Sequence, residues 1–300
     1  MSAPAASVIA IFGPTGVGKT AVALELAEVL RGRGEDPVAI SADALQIYRG
    51  LETLTGTATA EERARLEHRL VGFVDPAETF SVGEFMPLAH AEIDSALRSG
   101  RRPIVLGGTG LYLRAALTDL SLAPAPPAAL RARLEGELDR RGPADLHAEL
   151  QARSPRAAAA IEPTDRTRIV RSLELLELGE EPPATEASEL WAEETRVPTR
   201  LFGLAMQRAE LYRRIDGRVD AMVAAGAADE VRRASESGAS RTARAALGFE
   251  ELLVGDVEGM KRRTHQYAKR QLTWMRKLAG ATIIDVTGRD PRAVAGEIAG

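Results

Sequence analysis

Short apolar runs alternate with helix-like segments along much of the chain. Residues 7–12 (SVIAIF) form an apolar, β-branched run that stops at Gly13, and this pattern predicts a buried strand. Ala21–Leu30 then repeats apolar residues at near-helical spacing. Strands that alternate with helices indicate a parallel sheet flanked by helices, which is an α/β fold. The same criteria predict further strands at 38–40, 103–106, 201–206 and 282–286, and long helices at 209–224 and 260–278.

Residues 121–199 follow a different pattern, in which no strand is evident. Leu130 and Leu134 belong to a row of leucines spaced four residues apart, which is typical of an amphipathic helix. Proline-rich segments mark both ends of this stretch, as they would between two structural units. We therefore predict an all-helical insertion domain at 121–199 between two parts of an α/β core, at 1–120 and 200–300.

A glycine-rich loop carries the first candidate chemistry. Gly13–Thr20 (GPTGVGKT) matches the P-loop pattern G-x-x-x-x-G-K-[ST] and lies between a predicted strand and a predicted helix, as that motif requires. The loop amides and the helix N-terminus can bind an anion, Lys19 adds a positive charge, and Thr20 can offer a hydroxyl to Mg²⁺. The diphosphate could belong to ATP or to another compound. The predicted diphosphate-binding residues, on a P-loop NTPase-like sheet, are Gly13, Pro14, Thr15, Gly16, Val17, Gly18, Lys19 and Thr20.

The composition excludes several other chemistries. The 300 residues include no cysteine, so disulfides, thiol nucleophiles and thiolate metal sites are excluded. The four histidines lie far apart without metal-ligand spacing, which leaves Mg²⁺ as the only metal expected. No apolar run approaches the roughly 18–20 residues that span a bilayer, and no basic leader opens the chain. We therefore expect a soluble, cytoplasmic protein.

The distribution of charge is more informative than the net charge of −4, which by itself argues against a nucleic-acid binder. Residues 260–277 contain seven cations and no carboxylate. Such a strip can neutralise RNA phosphates. We expect Tyr267 and Trp274 within it to pack in the core, with stacking on RNA bases as the alternative. A second basic group lies in the predicted insertion and consists of Arg131, Arg133, Arg166, Arg168 and Arg171.

The acidic residue of the phosphate site has two candidate roles. P-loop phosphoryl-transfer enzymes usually place a Mg²⁺-organising acid at the end of a strand. The predicted strand 103–106 ends instead in Gly107–Gly110 (GGTG), which has no carboxylate. Asp43, just after the strand at 38–40, is the acid available, and it can act either as a metal organiser or as a base.

Seven motifs in a fixed order resemble the tRNA dimethylallyltransferases, also called tRNA isopentenyltransferases. They run from residue 8 to about residue 278, and the ordered set is far more specific than the P-loop alone. The resemblance implies transfer of the dimethylallyl group of dimethylallyl diphosphate to N6 of adenosine 37 in tRNA, with release of diphosphate. The motifs are 13–20, 41–50 (SADALQIYRG), 107–112 (GGTGLY), 165–174 (DRTRIVRSLE), 211–220 (LYRRIDGRVD), 246–250 (ALGFE) and 268–276 (AKRQLTWMR).

The resemblance also implies roles for individual residues. Asp43 would accept the N6 proton or orient the amine, Thr109 would lie beside the reacting groups, and Arg218 would bind diphosphate. Arg214, one helical turn earlier, is the alternative to Arg218. Gln46 can pair with a purine edge. The implied tRNA contacts are Asp43, Ala44, Leu45, Gln46, Arg131, Thr167, Arg168, Ile169, Val170, Arg171, Lys269 and Arg270.

The expected partners are the anticodon stem-loop of tRNA and dimethylallyl diphosphate, with Mg²⁺ held through Thr20, and the expected assembly is a monomer. Three other functions stay open on the residues alone. A small-molecule kinase would place ATP in the loop, and an adenylate prenyltransferase would use a free nucleotide as acceptor. A P-loop RNA-binding module would have no catalytic role for Asp43. The missing strand-end acid, the helical insertion and the basic strip favour prenyl transfer to RNA.

Overall fold

A computed structural model of the chain describes residues 7–123, 125–183 and 193–300. These residues form two compact units, one made of 7–119 with 193–300 and the other of 120–183. None of the helices in the described ranges combines the length and the apolar character that a membrane span needs.

The first unit is built on a six-stranded sheet in which all neighbouring strands are parallel. Their order across the sheet is β3-β2-β4-β1-β5-β6. β1 and β2 are buried along their whole length, as expected when helices cover both faces of a sheet. The strands are β1 (Val8–Phe12), β2 (Pro37–Ala42), β3 (His68–Arg69), β4 (Arg102–Gly107), β5 (Thr199–Ala205) and β6 (Thr282–Asp285).

The strand order places several loops together. β1 lies between β4 and β5, with Ile9 in register with Ile104 on one side and Arg200 on the other. The chain runs from β1 to β2 on one side of this centre and later to β5 on the other. In open α/β sheets, such a change of direction opens a crevice at the carboxyl ends of the strands, where ligands bind. The loops after β1, β2 and β4 meet at this edge.

Fifteen helices complete the described part of the chain, and four of them, α6 to α9, form the second unit. In the first unit α1 packs on α15 and α10 packs on α14. The helices are α1 (Lys19–Gly32), α2 (Glu52–Thr55), α3 (Ala60–Arg65), α4 (Val82–Arg98), α5 (Gly110–Leu117), α6 (Ala128–Arg141), α7 (Pro143–Arg153), α8 (Pro155–Ala159), α9 (Arg166–Glu177), α10 (Arg208–Ala224), α11 (Ala227–Glu236), α12 (Arg241–Arg244), α13 (Phe249–Leu253), α14 (Val257–Met275) and α15 (Pro291–Ala299).

The second unit has a hydrophobic core of its own, built from the apolar faces of its helices. Leu134 and Leu138 of α6 and Leu146 and Leu150 of α7 are almost fully buried there. Leu130 is partly buried against the same cluster. The leucine spacing in the sequence therefore marks the face that α6 buries, and the described part of this unit contains no strand.

Two features of the fold differ from the sequence predictions. The edge strand β3 was not predicted, because its two residues are too short to show a hydrophobic pattern. The predicted insertion also ends too late at 199. Arg196 is tied to the first unit by its backbone N–H, which donates to the carbonyl of Leu117 at 2.8 Å, and by its side chain, which pairs with Asp94 at 2.7 Å. Residues 193–199 consequently belong to the α/β unit.

Candidate active site

The phosphate loop connects β1 to α1 and curls around its own lysine. Gly16 and Gly18 have φ angles of 81° and 102°, in the region that only glycine enters readily. Lys19 opens the helix and folds back over the loop, where its Nζ atom donates to the carbonyl oxygens of Gly13 at 2.8 Å and Pro14 at 3.2 Å. The loop is therefore shaped as an anion cradle with a cation in its centre.

Not every residue of the loop can offer an amide to an anion. Pro14 has no N–H, and the N–H of Thr15 donates to Oε1 of Gln271 at 2.9 Å. Thr15 lines the cavity described below, and because its amide already has a partner, its role in binding diphosphate stays a prediction. The N–H groups of Gly13 and Val17 also have backbone partners, the carbonyls of Gly107 and Pro14, each at 3.3 Å. The first-turn amides of a helix lack intrahelical partners. The loop amides that remain for an anion are therefore those of Gly16, Gly18, Lys19 and Thr20.

Burial changes the acidity of Lys19. Burial lowers the pKa of its ammonium group from 10.5 to about 8, because a charge is costly away from water. The carboxylate of Asp43 opposes this shift and the guanidinium of Arg218 adds to it. A lysine so placed gains stabilisation of its charged form as soon as an anion enters the cradle.

Asp43 follows the last residue of β2 and lies at the carboxyl edge of the sheet. Its Oδ1 atom accepts a hydrogen bond of 2.9 Å from the backbone N–H of Leu45, which holds the carboxylate in a turn. Asp43 lines the same cavity as Lys19 and Thr20. The carboxylate is thus oriented by the backbone and keeps lone pairs for a substrate.

Gln46, three residues later, is held at both ends of its amide. Oε1 accepts from the hydroxyl of Ser41 at 3.0 Å, and Nε2 donates to the carbonyl of Gly56 at 3.4 Å. Each amide atom retains one further hydrogen-bonding position. Gln46 therefore presents a donor and an acceptor side by side in the cavity, whereas Ala44 is not part of the cavity wall.

Thr109 caps α5 just beyond β4 and reaches the cavity through a neighbour. Its hydroxyl lies 3.1 Å from the hydroxyl of Tyr267 on α14, and Tyr267 lines the cavity. Burial and, to a smaller extent, the nearby charge of Asp43 raise the pKa of Tyr267 to about 12. Tyr267 was expected to pack in the core, so its position in the cavity wall corrects that expectation.

The two arginines of α10 have different surroundings. Arg218 lines the cavity, and its Nη2 atom donates to the carbonyl of Gly56 at 3.1 Å. Burial lowers the pKa of Arg218, and the charge of Asp43 acts in the opposite direction. Arg214 lies outside the cavity wall, where its Nη1 atom donates to the carbonyl of Val17 at 3.3 Å. Arg214 thus contacts the backbone of the phosphate loop, and Arg218 faces the cavity.

These side chains surround one cavity of about 620 Å³. The described residues include no group of three or more acidic or histidine side chains that could hold a metal ion alone. A bound cation would therefore need ligands from the substrate as well as from Thr20. Polar lining residues include Lys19, Thr20, Asp43, Gln46, Arg218, Tyr267 and Gln271, and apolar ones include Leu45, Leu54, Ile215, Val219, Met222, Leu247 and Met260.

The basic strip on α14 is divided by its ion pairs. Lys261 pairs with Asp220 at 2.8 Å, and Arg263 pairs with Glu251 at 3.0 Å. Further along the helix, Lys269 and Arg270 are exposed, and the guanidinium of Arg270 lies 5.6 Å above the ring of Tyr267. Carboxylates from other parts of the chain thus neutralise Lys261 and Arg263, whereas Lys269 and Arg270 are exposed to an anionic partner.

The predicted tRNA contacts of the second unit have mixed surroundings. Arg131 forms a two-pronged ion pair with the fully buried carboxylate of Glu174, at 2.7 and 2.8 Å, and Arg171 also bonds that carboxylate. Burial raises the pKa of Glu174, but the two arginines outweigh it and leave the pKa below its usual range. Thr167 and Arg168 are exposed, in contrast, and stay predicted contacts.

Ile169 and Val170 have buried side chains, which belong to the hydrophobic core of the second unit. These side chains support the helix on which Thr167 and Arg168 lie. The contacts of Ile169 and Val170 with tRNA stay predictions.

Sequence reasoning missed three residues that shape the cavity: Ser41, Gly56 and Gln271. Each acts through a contact with a distant or neighbouring segment, so no local pattern marks it. Gly56 is the clearest case, because a Cβ atom there would lie 1.7 Å from Nη2 of Arg218. Ser41 and Gln271 lie within motifs that carry the family resemblance, whereas Gly56 lies outside them. That resemblance was the only signal in the sequence that could have identified Ser41 and Gln271.

The chain is similar in sequence to known proteins over most of its length. The family model described as IPP transferase matches residues 46–278, and the one described as isopentenyl transferase matches residues 6–71. The chain is 42% identical to the tRNA dimethylallyltransferase of Thermomicrobium roseum, over 93% of this chain and 86% of that protein. It is 39% identical to the tRNA dimethylallyltransferase of Symbiobacterium thermophilum, over 95% and 91% of the two chains.

Solved structures show the same similarity. The full-length tRNA isopentenylpyrophosphate transferase of Bacillus halodurans superposes with a TM-score of 0.70 at 34% identity, over 98% of this chain and 94% of that chain. A eukaryotic dimethylallyltransferase acting on tRNA superposes with a TM-score of 0.71 at 26% identity, over 94% and 74% of the two chains.

Proposed function

This chain belongs to the tRNA dimethylallyltransferase family and transfers a dimethylallyl group to tRNA, and from that premise we propose how its residues carry out the reaction. The donor is dimethylallyl diphosphate, the acceptor atom is N6 of adenosine 37 in the anticodon stem-loop, and diphosphate is released. The observation that carries the proposal is the convergence of Lys19, Asp43 and Arg218 on one cavity with apolar and polar walls.

The diphosphate lies in the cradle between Gly16 and Thr20. Negative charge builds on it as the allylic C–O bond breaks and the bonding electrons move to oxygen. Loop amides, Lys19 and Arg218 stabilise that charge, which is the usual main source of catalysis at such sites. A divalent cation, proposed to be Mg²⁺ held by the Thr20 hydroxyl together with the diphosphate, supplies further neutralisation when bound.

The acceptor adenine enters from the side of Asp43 and Gln46. The lone pair of N6 forms the new C–N bond to the prenyl carbon, and the proton that N6 loses passes to the carboxylate of Asp43. The second donor and acceptor positions of Gln46 fit a purine edge, which an amide can bind in a bidentate manner. The apolar residues of the cavity wall, such as Leu54 and Met222, contact the prenyl methyl groups.

The tRNA contacts are proposed for each unit separately. On α14, Lys269 and Arg270 are exposed and meet RNA phosphates, which accounts for an RNA partner despite the net negative charge. In the second unit, Thr167 and Arg168 remain as proposed contacts. Action in the cytoplasm and a monomeric state both stay predictions.

The test offers the full chain dimethylallyl diphosphate labelled in its prenyl carbons together with an unmodified tRNA transcript. We expect the label in RNA, released on digestion as N6-dimethylallyladenosine. A transcript with guanosine at position 37 is the matched control, because it lacks the N6 amine, and we expect no label in it.

Two further arms separate the alternatives. Label transferred to free AMP but not to tRNA would indicate an adenylate prenyltransferase. Transfer of the γ-phosphate of ATP to a small molecule, without prenyl transfer, would indicate a kinase and would overturn the proposal.

A further inference from the structure

We propose that Gln271 is a positioning residue that couples the helix facing tRNA to the loop that binds the donor diphosphate, an inference that rests on the proposed function. Gln271 lies in the second half of α14, and its side chain is only 2% exposed. Its Oε1 atom accepts from the N–H of Thr15 at 2.9 Å, and its Nε2 atom donates to the carbonyl of Gly108 at 2.7 Å. One side chain thus joins the loops after β1 and β4.

A carboxamide is well suited to this position. Its terminal amide group carries both an acceptor and a donor. Glutamate, in contrast, has no side-chain donor when ionised, and methionine has no side-chain N–H. A buried polar group without a partner is costly, so removing Gln271 leaves both the amide of Thr15 and the carbonyl of Gly108 in search of partners. The phosphate loop would then lose the hydrogen bond that fixes its backbone at Thr15.

The close approach also depends on a glycine. A Cβ atom at position 108 would lie 2.5 Å from Nε2 of Gln271 and 3.5 Å from Nζ of Lys19. Gly108 therefore allows the helix, the loop after β4 and the phosphate loop to meet at one point. Tyr267, one helical turn before Gln271, bonds Thr109 in the same loop.

The exposed cations Lys269 and Arg270 lie within two residues of Gln271 on the same continuous helix. The guanidinium of Arg270 also lies 5.6 Å from the centre of the Tyr267 ring. A rigid helix moves as a unit, so phosphate contacts at these cations displace or immobilise Gln271 and Tyr267 together. RNA docking thereby acts on the phosphate loop through Thr15 and on Thr109 through Tyr267. A misplacement of about 1 Å in such a site can cost about 10²-fold in rate.

The test replaces Gln271 with methionine, which has a similar length and no hydrogen-bonding amide. The matched control is Gln266→Met, since Gln266 is exposed on the same helix. Dissociation constants for inorganic diphosphate are measured by calorimetry on the full chain, with and without a saturating anticodon stem-loop. Steady-state prenyl transfer gives kcat and both KM values, and the thermal midpoint reports folding.

We expect Gln271→Met to lower kcat/KM for the donor by about 10- to 100-fold and to leave the affinity for tRNA within about twofold. In the wild type and in Gln266→Met, we expect the stem-loop to change the dissociation constant of diphosphate by about threefold or more, since coupling between two binding sites is reciprocal. In Gln271→Met we expect that change to disappear.

A second variant, Gln271→Glu, keeps the acceptor for Thr15 but loses the donor to Gly108. Its kcat/KM for the donor should fall at least as far as that of Gln271→Met.

Two results would overturn the inference. One is wild-type transfer and wild-type coupling in Gln271→Met. The other is a lowered thermal midpoint with an unaltered diphosphate affinity in the folded fraction, which would mark Gln271 as structural only. If the wild type transfers no prenyl group but couples diphosphate to RNA, and Gln271→Met loses that coupling, the proposed reaction fails and the positioning role of Gln271 stands.

Discussion

The hydroxyl oxygens of Thr109 and Tyr267 lie 3.1 Å apart and join the loop after β4 to helix α14. Burial and the charge of Asp43 raise the pKa of Tyr267 to about 12, so its hydroxyl is protonated at neutral pH. Either hydroxyl can be the donor of this bond. Because Tyr267 lines the cavity and Thr109 does not, the pair links the loop after β4 to the cavity wall.

Tyr267→Phe should lower kcat by about 3- to 10-fold, because a single neutral hydrogen bond is worth roughly 0.5–1.5 kcal/mol. Single-turnover prenyl transfer is the appropriate measurement. Tyr212→Phe is the control, since Tyr212 stacks on His265 at a ring distance of 4.0 Å and does not line the cavity. Equal losses in both variants would argue against a specific role for the Tyr267 hydroxyl.

Asp43→Asn should reduce kcat by about 10²- to 10⁴-fold, which is the usual contribution of a general base. The amide oxygen can still accept from Leu45, so the turn should survive. We expect the donor dissociation constant to stay nearly unchanged. A weakened donor affinity with normal turnover would instead identify Asp43 as an organiser of the metal.

Gly56→Ala should raise the KM for the donor, because the added Cβ atom would fall 1.7 Å from Nη2 of Arg218 and displace it. Gly56 and Gly72 share a φ of 60°, so alanine is strained at both by about 1–2 kcal/mol. Gly72→Ala is therefore the matched control, as its Cβ would lie 3.2 Å from Glu52 and far from Arg218.

Thermal unfolding should show similar losses of stability in both glycine variants. Only Gly56→Ala should lose donor affinity, by about tenfold if one charge-assisted contact worth roughly 1.5–3 kcal/mol is partly disrupted. A comparable KM in the two variants would mean that Arg218 does not bind the donor.

The pKa of Lys19 predicts a pH effect on donor capture. The free enzyme carries a charged Lys19 below about pH 8 and a neutral one above it, so kcat/KM for the donor should fall as the pH rises through about 8. Lys19→Arg should be less active but should lose this fall, since arginine stays charged. A fall near pH 8 that persists in Lys19→Arg would assign it to another group.

The same group affects stability with a defined sign. Between about pH 8 and 10.5 the unfolded chain binds more protons at Lys19 than the folded chain does, so this group makes the free energy of unfolding rise with pH in that window. Below about pH 8, Lys19 is charged in both states, and the burial of its charge lowers the free energy of unfolding by the full amount. Denaturant titrations of the wild type and Lys19→Met, compared at pH 7 and pH 10, would measure the contribution.

The two halves of the basic strip should differ in salt dependence. Replacing Lys269 and Arg270 by alanine should weaken tRNA binding and reduce the slope of log K against log salt by about 1–2, the value for two lost phosphate contacts. Replacing Lys261 and Arg263 should change the slope much less, because their carboxylate partners already neutralise them. Equal slopes in both double variants would contradict the division of the strip.

Local patterns predicted most of the fold because the physical causes are local. An apolar run ending at Gly13, followed by a glycine-rich loop and an amphipathic helix, requires one strand–loop–helix arrangement, and the structure confirms it with β1 and α1. The leucine spacing near Leu134 likewise marked a buried helix face. β3 has only two residues and depends on pairing with β2, so no pattern in its own sequence could predict it.

The site was only partly accessible to the same reasoning. The motifs identified Asp43, Thr109 and Arg218 through a family resemblance, and their roles stay predictions. Tyr267 was expected to pack in the core, yet its hydroxyl lies 3.1 Å from that of Thr109, 158 positions away in the chain. The cations at 261 and 263 looked free because their carboxylate partners lie outside the strip.

By itself, the sequence determined the α/β class, the phosphate loop and the helical nature of the insertion, since each depends on neighbours within a few turns of chain. Tertiary structure decided which groups meet. It bonded the amide of Thr15 to Gln271, 256 residues away, and buried Glu174 beneath Arg131. Hydrogen bonds and ion pairs act over about 3 Å in space whatever their separation in the chain, so only the folded chain assigns their partners.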